Sequence, residues 1–151
     1  MIHIIRTDSS NAVFKSLAKE LDEDLFDTYK DLQKTYDSLN VIPLNANVVV
    51  CYDDERPIGC GCIKEISTEV VEIKRIFIRK DERGKGTSKI IMKELLEWAI
   101  ELKKEEMILE TGKKQIEAIS LYEQLGFKVI DNYGEYLGNK NSICMKLELK
   151  R

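Results

Sequence analysis

The stretch of the 151-residue sequence with the clearest chemical potential is a short basic loop, Arg83-Gly84-Lys85-Gly86-Thr87-Ser88. An apolar stretch precedes it and a helical pattern follows it, so the loop is expected between a strand and a helix start. Amide groups in the first helical turn have no intrahelical acceptor, and the helix dipole adds partial positive charge there. Glycines let a phosphate approach the backbone closely, and Arg83 and Lys85 add formal charge. The loop therefore predicts a diphosphate-binding site.

Two common phosphate-binding motifs do not fit this loop. A nucleotide-hydrolase P-loop requires a glycine separated by four residues from Gly-Lys-[Ser/Thr], whereas Lys85 is followed by Gly86 and position 79 is Arg. A dinucleotide-binding motif requires Gly-x-Gly-x-x-Gly; Gly84 and Gly86 fit, but Lys89 occupies the third glycine position. Because two glycines also occur in purely structural loops, the surrounding sequence has to indicate the ligand.

A second stretch of interest lies downstream and has helical periodicity. Its sequence is Ala118-Ile119-Ser120-Leu121-Tyr122-Glu123-Gln124-Leu125-Gly126-Phe127. Four side chains share one helical face, namely Ala118, Leu121, Tyr122 and Leu125, and Gly126 is well placed to end the helix. Without further context, Tyr122 would be interpreted as a packing residue of this helix.

Together the two stretches resemble the GCN5-related N-acetyltransferase (GNAT) superfamily. Its central motif reads Gln/Arg-x-x-Gly-x-Gly/Ala; Arg83 and Gly86 match it, and Ser88 is a conservative departure. The downstream stretch resembles the second signature, Ala-x-x-Leu-Tyr-x-x-x-Gly-Phe. The two signatures occur in the expected order with a strand between them, and the resemblance covers about residues 70–127.

The resemblance implies an enzyme that uses acetyl-CoA as cosubstrate and no metal. The amides of the loop would hold the CoA diphosphate. The end of the preceding strand would splay from its neighbour, leaving backbone groups free to pair with the pantetheine amides. Many members have a cofactor-contacting Asn three residues before the helix alanine, and this chain has Gln115 there instead. The cofactor-binding residues implied in this way are Phe77, Ile78, Arg83, Gly84, Lys85, Gly86, Thr87, Ser88 and Gln115.

The resemblance also implies catalytic roles. Tyr122 matches the tyrosine that commonly donates a proton to the departing CoA thiolate. Glu72 occupies a strand position where many members have a glutamate that acts as general base, often through water. Glu110 is the rival base. Strand alternation places Glu72 on the face of Lys74 and Ile76, so a salt bridge is an equally good interpretation of Glu72.

The implied reaction is transfer of an acetyl group to a primary amine by direct attack in a ternary complex. Leu109-Glu110-Thr111-Gly112 and Tyr133-Gly134-Glu135-Tyr136 resemble a subgroup that favours a small-molecule acceptor over ribosomal-protein N-termini. The alternatives are a protein or peptide N-acetyltransferase, a non-catalytic acyl-CoA sensor and an interaction module. The residues that could line the acceptor pocket, or pack in the core, are Tyr29, Tyr36, Tyr133 and Tyr136.

The elements needed to position these residues can be predicted from hydrophobic periodicity. Strands are expected at 1–6, 47–52, 58–66, 70–78, 107–111, 127–130 and 143–149. Helices are expected within 11–39, from the loop to about 103, and around 118–125. A strand, a long helix and a strand form a crossover unit, so that strand pair should be parallel. We predict one α/β domain over residues 1–151, with a GNAT-like, mixed and mostly antiparallel central sheet and helices on both faces.

Composition excludes several other classes of protein. The net charge of −3 argues against general nucleic-acid binding, and no apolar run is long enough to span a membrane. The N-terminus does not resemble a signal peptide, so a cytoplasmic protein is expected. The four cysteines and one histidine have no metal-site spacing and are interpreted as buried thiols and an isolated residue. Homodimers are common in the superfamily, and the resemblance leaves a homodimer open.

Charge is distributed unevenly along the chain. Residues 20–31 contain six acidic side chains and one basic side chain, whereas basic residues dominate 74–89. The basic stretch predicts an anionic ligand, with a solvated surface as the plainer alternative. The acidic stretch could attract a cationic amine, although a solvated helix face is the better interpretation.

Overall fold

Seven strands form a single sheet in the computed structural model, which describes residues 1–28 and 45–149. The strands are β1 Ile2–Asp8, β2 Asn47–Asp53, β3 Arg56–Glu65, β4 Val70–Ile78, β5 Glu106–Gly112, β6 Lys128–Ile130 and β7 Ser142–Glu148. Their order in the sheet is β1-β2-β3-β4-β5-β7-β6. The β4–β5 pair is parallel and the other pairs are antiparallel. The predicted parallel crossover is confirmed, as is the mostly antiparallel sheet.

Helices cover both faces of this sheet, as predicted. In the described residues they are α1 Ala12–Thr28, α2 Thr87–Glu101 and α3 Ile116–Gln124, with short 3₁₀ turns at Lys80–Glu82 and Gly134–Tyr136. α1 begins where the Asn11 side chain accepts a hydrogen bond from the Phe14 amide at 2.9 Å, which caps the helix. Any second helix in residues 29–39 lies outside the described residues.

Two hydrophobic cores hold the layers together. On one face, Phe14 and Leu17 of α1 are buried against Val48 and Val50 of β2 and against Cys60 of β3. The second core lies on the opposite face, where α2 and α3 pack. Its central buried side chains are Ile63, Ile73, Ile91, Met92, Leu95, Met107, Leu109, Tyr122 and Phe127. All four cysteines are buried free thiols, as the sequence predicted.

A β-bulge interrupts β4 in front of the loop. Lys74 pairs with Cys62 and Phe77 with Cys60, so Arg75 and Ile76 lie opposite Gly61 alone. Arg75 adopts a positive φ of 61°, which is uncommon for a residue other than glycine. Beyond the bulge, each side chain of β4 points to the face of the sheet opposite to the one that regular alternation would give it. Ile76 therefore packs into the α2 core, and the prediction that it shares a face with Glu72 and Lys74 is wrong.

The parallel pair at the centre of the sheet separates along its length. β4 and β5 pair from Val70 with Glu106 to Ile73 with Leu109, and the ladder ends there. The remainder of β4, residues 74–78, continues to pair with β3 but not with β5. The edges of the two strands therefore bound a gap that opens toward the loop at residues 83–88.

The acidic half of α1 pairs with the basic stretch that surrounds the loop. Asp22 accepts a hydrogen bond from Arg75 at 2.5 Å, and Glu20 accepts two from Arg79 at 3.0 and 3.1 Å. Asp24 accepts one from Arg83 at 3.0 Å. Much of the acidic stretch that the sequence interpreted as a solvated face is therefore engaged in ion pairs.

Candidate active site

A cavity of about 460 Å³ occupies the gap between the separated strands. Its walls are the ends of β4 and β5, the loop, the start of α2, the inner face of α3, and Leu21, Asp24 and Leu25 of α1. Most of the residues that the sequence nominated line it. These are Phe77, Ile78, Arg83, Gly84, Gly86, Thr87, Ser88, Gln115, Glu110, Tyr122 and Tyr136. Residues far apart in the sequence thus meet at one site.

Both glycines of the loop have a conformation that other residues avoid. Gly84 has φ 79° and Gly86 has φ 82°, and Gly86 is the residue immediately before α2. A Cβ atom at either position would meet no atom within 4 Å. Open space therefore lies beside the backbone where the unpaired amides of the first turn of α2 begin, as a phosphate-binding loop requires.

Arg83 connects the loop to the end of β4. Its Nε donates to the carbonyl oxygen of Ile78 at 2.8 Å, and its guanidinium lies 5.7 Å from the ring centre of Phe77. Its Nη2 donates to Asp24. Lys85 differs from the other nominated residues because it lies outside the cavity lining and pairs with Glu82 at 3.4 Å.

Tyr122 lies on the inner face of α3 and is 6% exposed. Its ring packs against Phe127, with the ring centres 5.9 Å apart. Its hydroxyl makes no hydrogen bond to a residue within 1–28 or 45–149. Burial, and secondarily the charge of Glu110, raises the pKa of the Tyr122 phenol. The phenol is therefore protonated at neutral pH and able to donate its proton.

Glu110 lies near the end of β5 and faces the same cavity. Its carboxylate accepts a hydrogen bond from the Ser142 hydroxyl at 2.5 Å. Burial raises the pKa of Glu110 despite the opposing effects of Ser142 and Lys74. A carboxylate with a raised pKa in a cavity is a better proton acceptor than an ordinary surface glutamate.

Glu72 lies on β4 and is 3% exposed, but it is not among the residues that line the cavity. It accepts a hydrogen bond from the Tyr133 hydroxyl at 2.7 Å and lies 3.8 Å from Lys74 Nζ. Lys74 in turn donates to the Tyr136 hydroxyl at 2.9 Å. The salt bridge that the sequence offered as an alternative role for Glu72 is present. Glu72 thus fastens the 131–141 segment to the sheet.

Arg75 also lines the cavity, although no motif in the sequence nominated it. Its side chain is buried, and its Nε atom has no hydrogen-bond partner in the described structure. No sequence motif indicates this residue, because its position depends on the bulge. Tyr29 and Tyr36, which were expected as candidates for the acceptor pocket, lie outside the described residues.

Metal sites and membrane-spanning helices are both absent from residues 1–28 and 45–149. No group of three or more His, Cys, Asp or Glu side chains is arranged to hold a metal ion there. None of the helices described is both long enough and apolar enough to cross a membrane.

Fold and cavity together define an α/β protein in which a glycine loop begins a helix beside two separated parallel strands. Residues 12–127 match the family model described as acetyltransferase (GNAT) family. The chain therefore belongs to the GNAT acetyltransferase family, and the resemblance seen in the sequence is confirmed.

Relatives and solved structures agree with this assignment. The uncharacterised N-acetyltransferase YsnE of Bacillus subtilis is 32% identical over 93 residues, which are 60% of this chain and 62% of the relative. An uncharacterised N-acetyltransferase of Dictyostelium discoideum is 35% identical over 54% of this chain and 38% of its own length. The chain thus matches less than two thirds of the length of these relatives.

Among solved structures, a Klebsiella pneumoniae protein described as an acyl-CoA N-acyltransferase has a TM-score of 0.82 at 24% identity, covering 99% of both chains. A GNAT family acetyltransferase of Elizabethkingia anophelis with acetyl-CoA bound has a TM-score of 0.71 at 16% identity, covering 98% of both chains. These likenesses show the shared fold.

Proposed function

We propose that this protein transfers the acetyl group of acetyl-CoA to the primary amine of a small molecule. The observation that carries this proposal is the convergence of three features on one cavity. They are the glycine loop at the start of α2, the unpaired edge of β4, and the protonated phenol of Tyr122 beside Glu110. The acetyl-CoA in the Elizabethkingia structure of the same fold supports the choice of cosubstrate.

The cavity fits acetyl-CoA at two places. The diphosphate would lie at the loop, where Gly84 and Gly86 leave open space and Arg83 supplies charge. The peptide-like pantetheine arm would lie in the gap between β4 and β5 and would pair with backbone groups near Phe77. The Ile78 carbonyl already accepts from Arg83, so it is the least available of these groups. Thr87, Ser88 and Gln115 would complete the cofactor contacts.

The acceptor nitrogen must lose two protons and the departing thiolate must gain one, and the cavity offers one proton acceptor and one proton donor for these transfers. The ammonium of the acceptor must lose a proton before its nitrogen can attack the thioester carbonyl. Attack forms the C–N bond, and collapse of the tetrahedral intermediate breaks the C–S bond. Tyr122 would then donate its proton to the departing CoA thiolate, and the second proton lost by the nitrogen would restore the Tyr122 phenol.

Of the two candidate bases, the contacts favour Glu110. It lines the cavity and has a raised pKa, whereas Glu72 is buried behind the lining and held by Tyr133 and Lys74. We propose that Glu110 accepts the proton directly or through one water molecule. Glu72 would instead position Lys74 and the 131–141 segment at the mouth of the site.

The size of the cavity favours a small acceptor over a folded protein, because about 460 Å³ must also accommodate part of the cosubstrate. Residues 1–151 are proposed to act as one domain in the cytoplasm, as a monomer or a homodimer. No nucleic acid, membrane or metal is required by this proposal.

The test begins with binding. Titration calorimetry with acetyl-CoA should give saturable binding, and CoA release should then be followed with amino acids, polyamines, aminoglycosides and peptides as acceptors. Mass spectrometry should show the mass of one acetyl group on one class of small amine. Peptides outcompeting free amines would support a protein acetyltransferase instead. Binding without turnover on any amine would support the sensor, and absence of binding would refute the proposal.

A further inference from the structure

A buried arginine with an unused hydrogen-bonding edge lies inside the proposed active site. Arg75 is 7% exposed, and the bulge in β4 directs it toward α1 on the face of the sheet that carries Lys74. Its Nη1 donates to Asp22 at 2.5 Å. Its Nε is buried without a hydrogen-bond partner, the only such side-chain nitrogen or oxygen in the part of the chain that the structure describes.

Such a group calls for a partner, because a buried N–H without one loses its hydrogen bond to water and gains nothing in return. Asp22 occupies Nη1 and leaves the edge formed by Nε and Nη2. That edge has two parallel N–H bonds and matches the two oxygens of a carboxylate. The missing partner is therefore best supplied by a carboxylate of a bound molecule.

Lys74, the cation next to Arg75 in the sequence, differs from it because its hydrogen-bond donors already have partners. Lys74 Nζ donates to the Tyr136 hydroxyl at 2.9 Å and lies 3.8 Å from Glu72, so its charge is already matched within the protein. Arg83 donates to the Ile78 carbonyl and to Asp24. Lys89 also lines the cavity but is exposed to solvent, so among the cavity-lining cations of the described residues Arg75 alone has an unmatched donor that is buried.

The charged groups of the cosubstrate do not account for this donor. Its anionic groups are the phosphates, which we placed at the loop, whereas the acetyl end carries no charge. Arg75 is three residues before the end of β4 and eight residues before Arg83 of the loop, and it pairs with Asp22 of α1. Across the gap, the carboxylate of Glu110 lines the same cavity and suits an ammonium group. An acceptor with one positive and one negative group satisfies both.

We infer that the acceptor is a small amine that also carries a carboxylate, as α-amino acids do, and that Arg75 binds the carboxylate while the amine faces Glu110. This inference rests on the proposed acetyltransferase function and narrows its substrate class. Arg75 is then a specificity-determining residue for the acceptor.

The test uses matched acceptors. Each L-amino acid of a panel is compared with its carboxamide and its decarboxylated amine, with kcat and KM measured by CoA release at saturating acetyl-CoA. For the best amino acid, kcat/KM should exceed that of its two analogues by about ten- to hundredfold, as loss of charged hydrogen bonds predicts. The difference should lie mainly in KM.

Three variants assign the preference to its residue. Arg75→Gln should remove most of the difference between amino acid and carboxamide while leaving the Kd of acetyl-CoA unchanged. Arg79→Gln is the matched control, because this arginine of the same region pairs with Glu20 outside the cavity lining, and it should keep the preference. Asp22→Asn should lower KM for the amino acid by roughly two- to fivefold, because Asp22 no longer competes with the substrate carboxylate for Arg75. KM for the decarboxylated amine should not change.

The outcomes separate this inference from the function on which it rests. If amines and carboxamides are acetylated as fast as amino acids while acetyl-CoA binds normally, the role of Arg75 is refuted but the proposed acetyltransferase function is not. Absence of acetyl-CoA binding would overturn both. If Arg75→Gln fails to fold, an unchanged KM for the amino acid in Asp22→Asn would still count against the inference.

Discussion

Asp24 of α1 lies 3.0 Å from the Nη2 atom of Arg83, and its other carboxylate oxygen lies 3.5 Å from Lys80 Nζ. A carboxylate of the first helix therefore neutralises cations beside the proposed diphosphate site. A phosphate that binds to the loop must compete with this carboxylate for Arg83 and is repelled by its charge.

Replacing Asp24 should consequently strengthen cofactor binding. We expect Asp24→Asn to lower the Kd of CoA by roughly two- to fivefold, the range of a partly exposed ion pair, and the gain should shrink at high salt. Calorimetry at low and physiological salt measures this. Glu23→Gln is the control, because it removes the same charge from an exposed neighbouring position on α1. Equal gains in both variants would indicate a general charge effect rather than release of Arg83.

The proton-donor role of Tyr122 predicts a loss confined to turnover. Tyr122→Phe should lower kcat by about 10²-fold or more while acetyl-CoA binds with unchanged affinity, because only the hydroxyl is removed. Stopped assays of acetylated product measure the rate. Tyr52→Phe makes the same change on β2, where the tyrosine stacks on His3, and should retain full turnover. A Tyr122→Phe enzyme with wild-type kcat would exclude this role.

Glu110→Gln should abolish most activity, with kcat/KM falling by about 10²- to 10⁴-fold. In the unmodified enzyme kcat/KM should fall as pH is lowered through the raised pKa of Glu110, because the base must be ionised. Glu72→Gln tests the rival base. If Glu72→Gln removes the acidic limb of the pH profile and Glu110→Gln does not, the assignment is reversed.

The same raised pKa has an effect of opposite sign on folding. A carboxyl group whose pKa is higher in the folded state contributes stability below its unfolded pKa and loses it as pH rises through the folded pKa. Ionised Glu110 therefore opposes folding at neutral pH. Glu110→Gln should raise Tm at pH 7 by roughly 2–4 °C, the shift that about 1 kcal/mol gives in a chain of this size. This gain should vanish near pH 4, and a lower Tm at pH 7 would contradict it.

The glycine loop can be tested with a pair of matched substitutions. Gly86→Ala and Gly138→Ala both place a Cβ on a residue with positive φ, 82° and 76°, and in both cases the Cβ meets no atom within 4 Å. Each should cost about 1–2 kcal/mol of folding stability. Only Gly86→Ala should also weaken CoA binding, as measured by calorimetry. A similar loss of affinity in both variants would argue that strain, rather than space for phosphate, is responsible.

The sequence predicted the limits of several elements well because apolar runs and turn residues mark those limits locally. The apolar run of β4 was placed at its observed limits, and Tyr122 was assigned to the inner face of its helix. The loop glycines were recognised because the residue type alone marks backbone that a phosphate can approach closely.

Two features of the site could not be predicted in this way. The bulge depends on pairing with Gly61 in β3, and nothing in the local sequence marks Arg75 as a residue with positive φ. The ion pairs of α1 with the loop depend on the tertiary packing of segments about 60 residues apart, such as Asp24 and Arg83. From residue types alone, the acidic stretch 20–31 and the basic stretch 74–89 were interpreted as separate charged surfaces. In the folded chain, charges of the two stretches pair with each other.

The separation of β4 from β5 also divides the sheet into two sections that share only four paired residues on each strand, from Val70 with Glu106 to Ile73 with Leu109. Amide exchange should detect this seam as a place where β1–β4 can open apart from β5–β7 at lower cost than global unfolding. A molecule bound along both edges would link the sections and suppress that opening. Saturation with CoA should therefore make the two halves exchange at more similar rates, converting a weakly joined sheet into one cooperative unit.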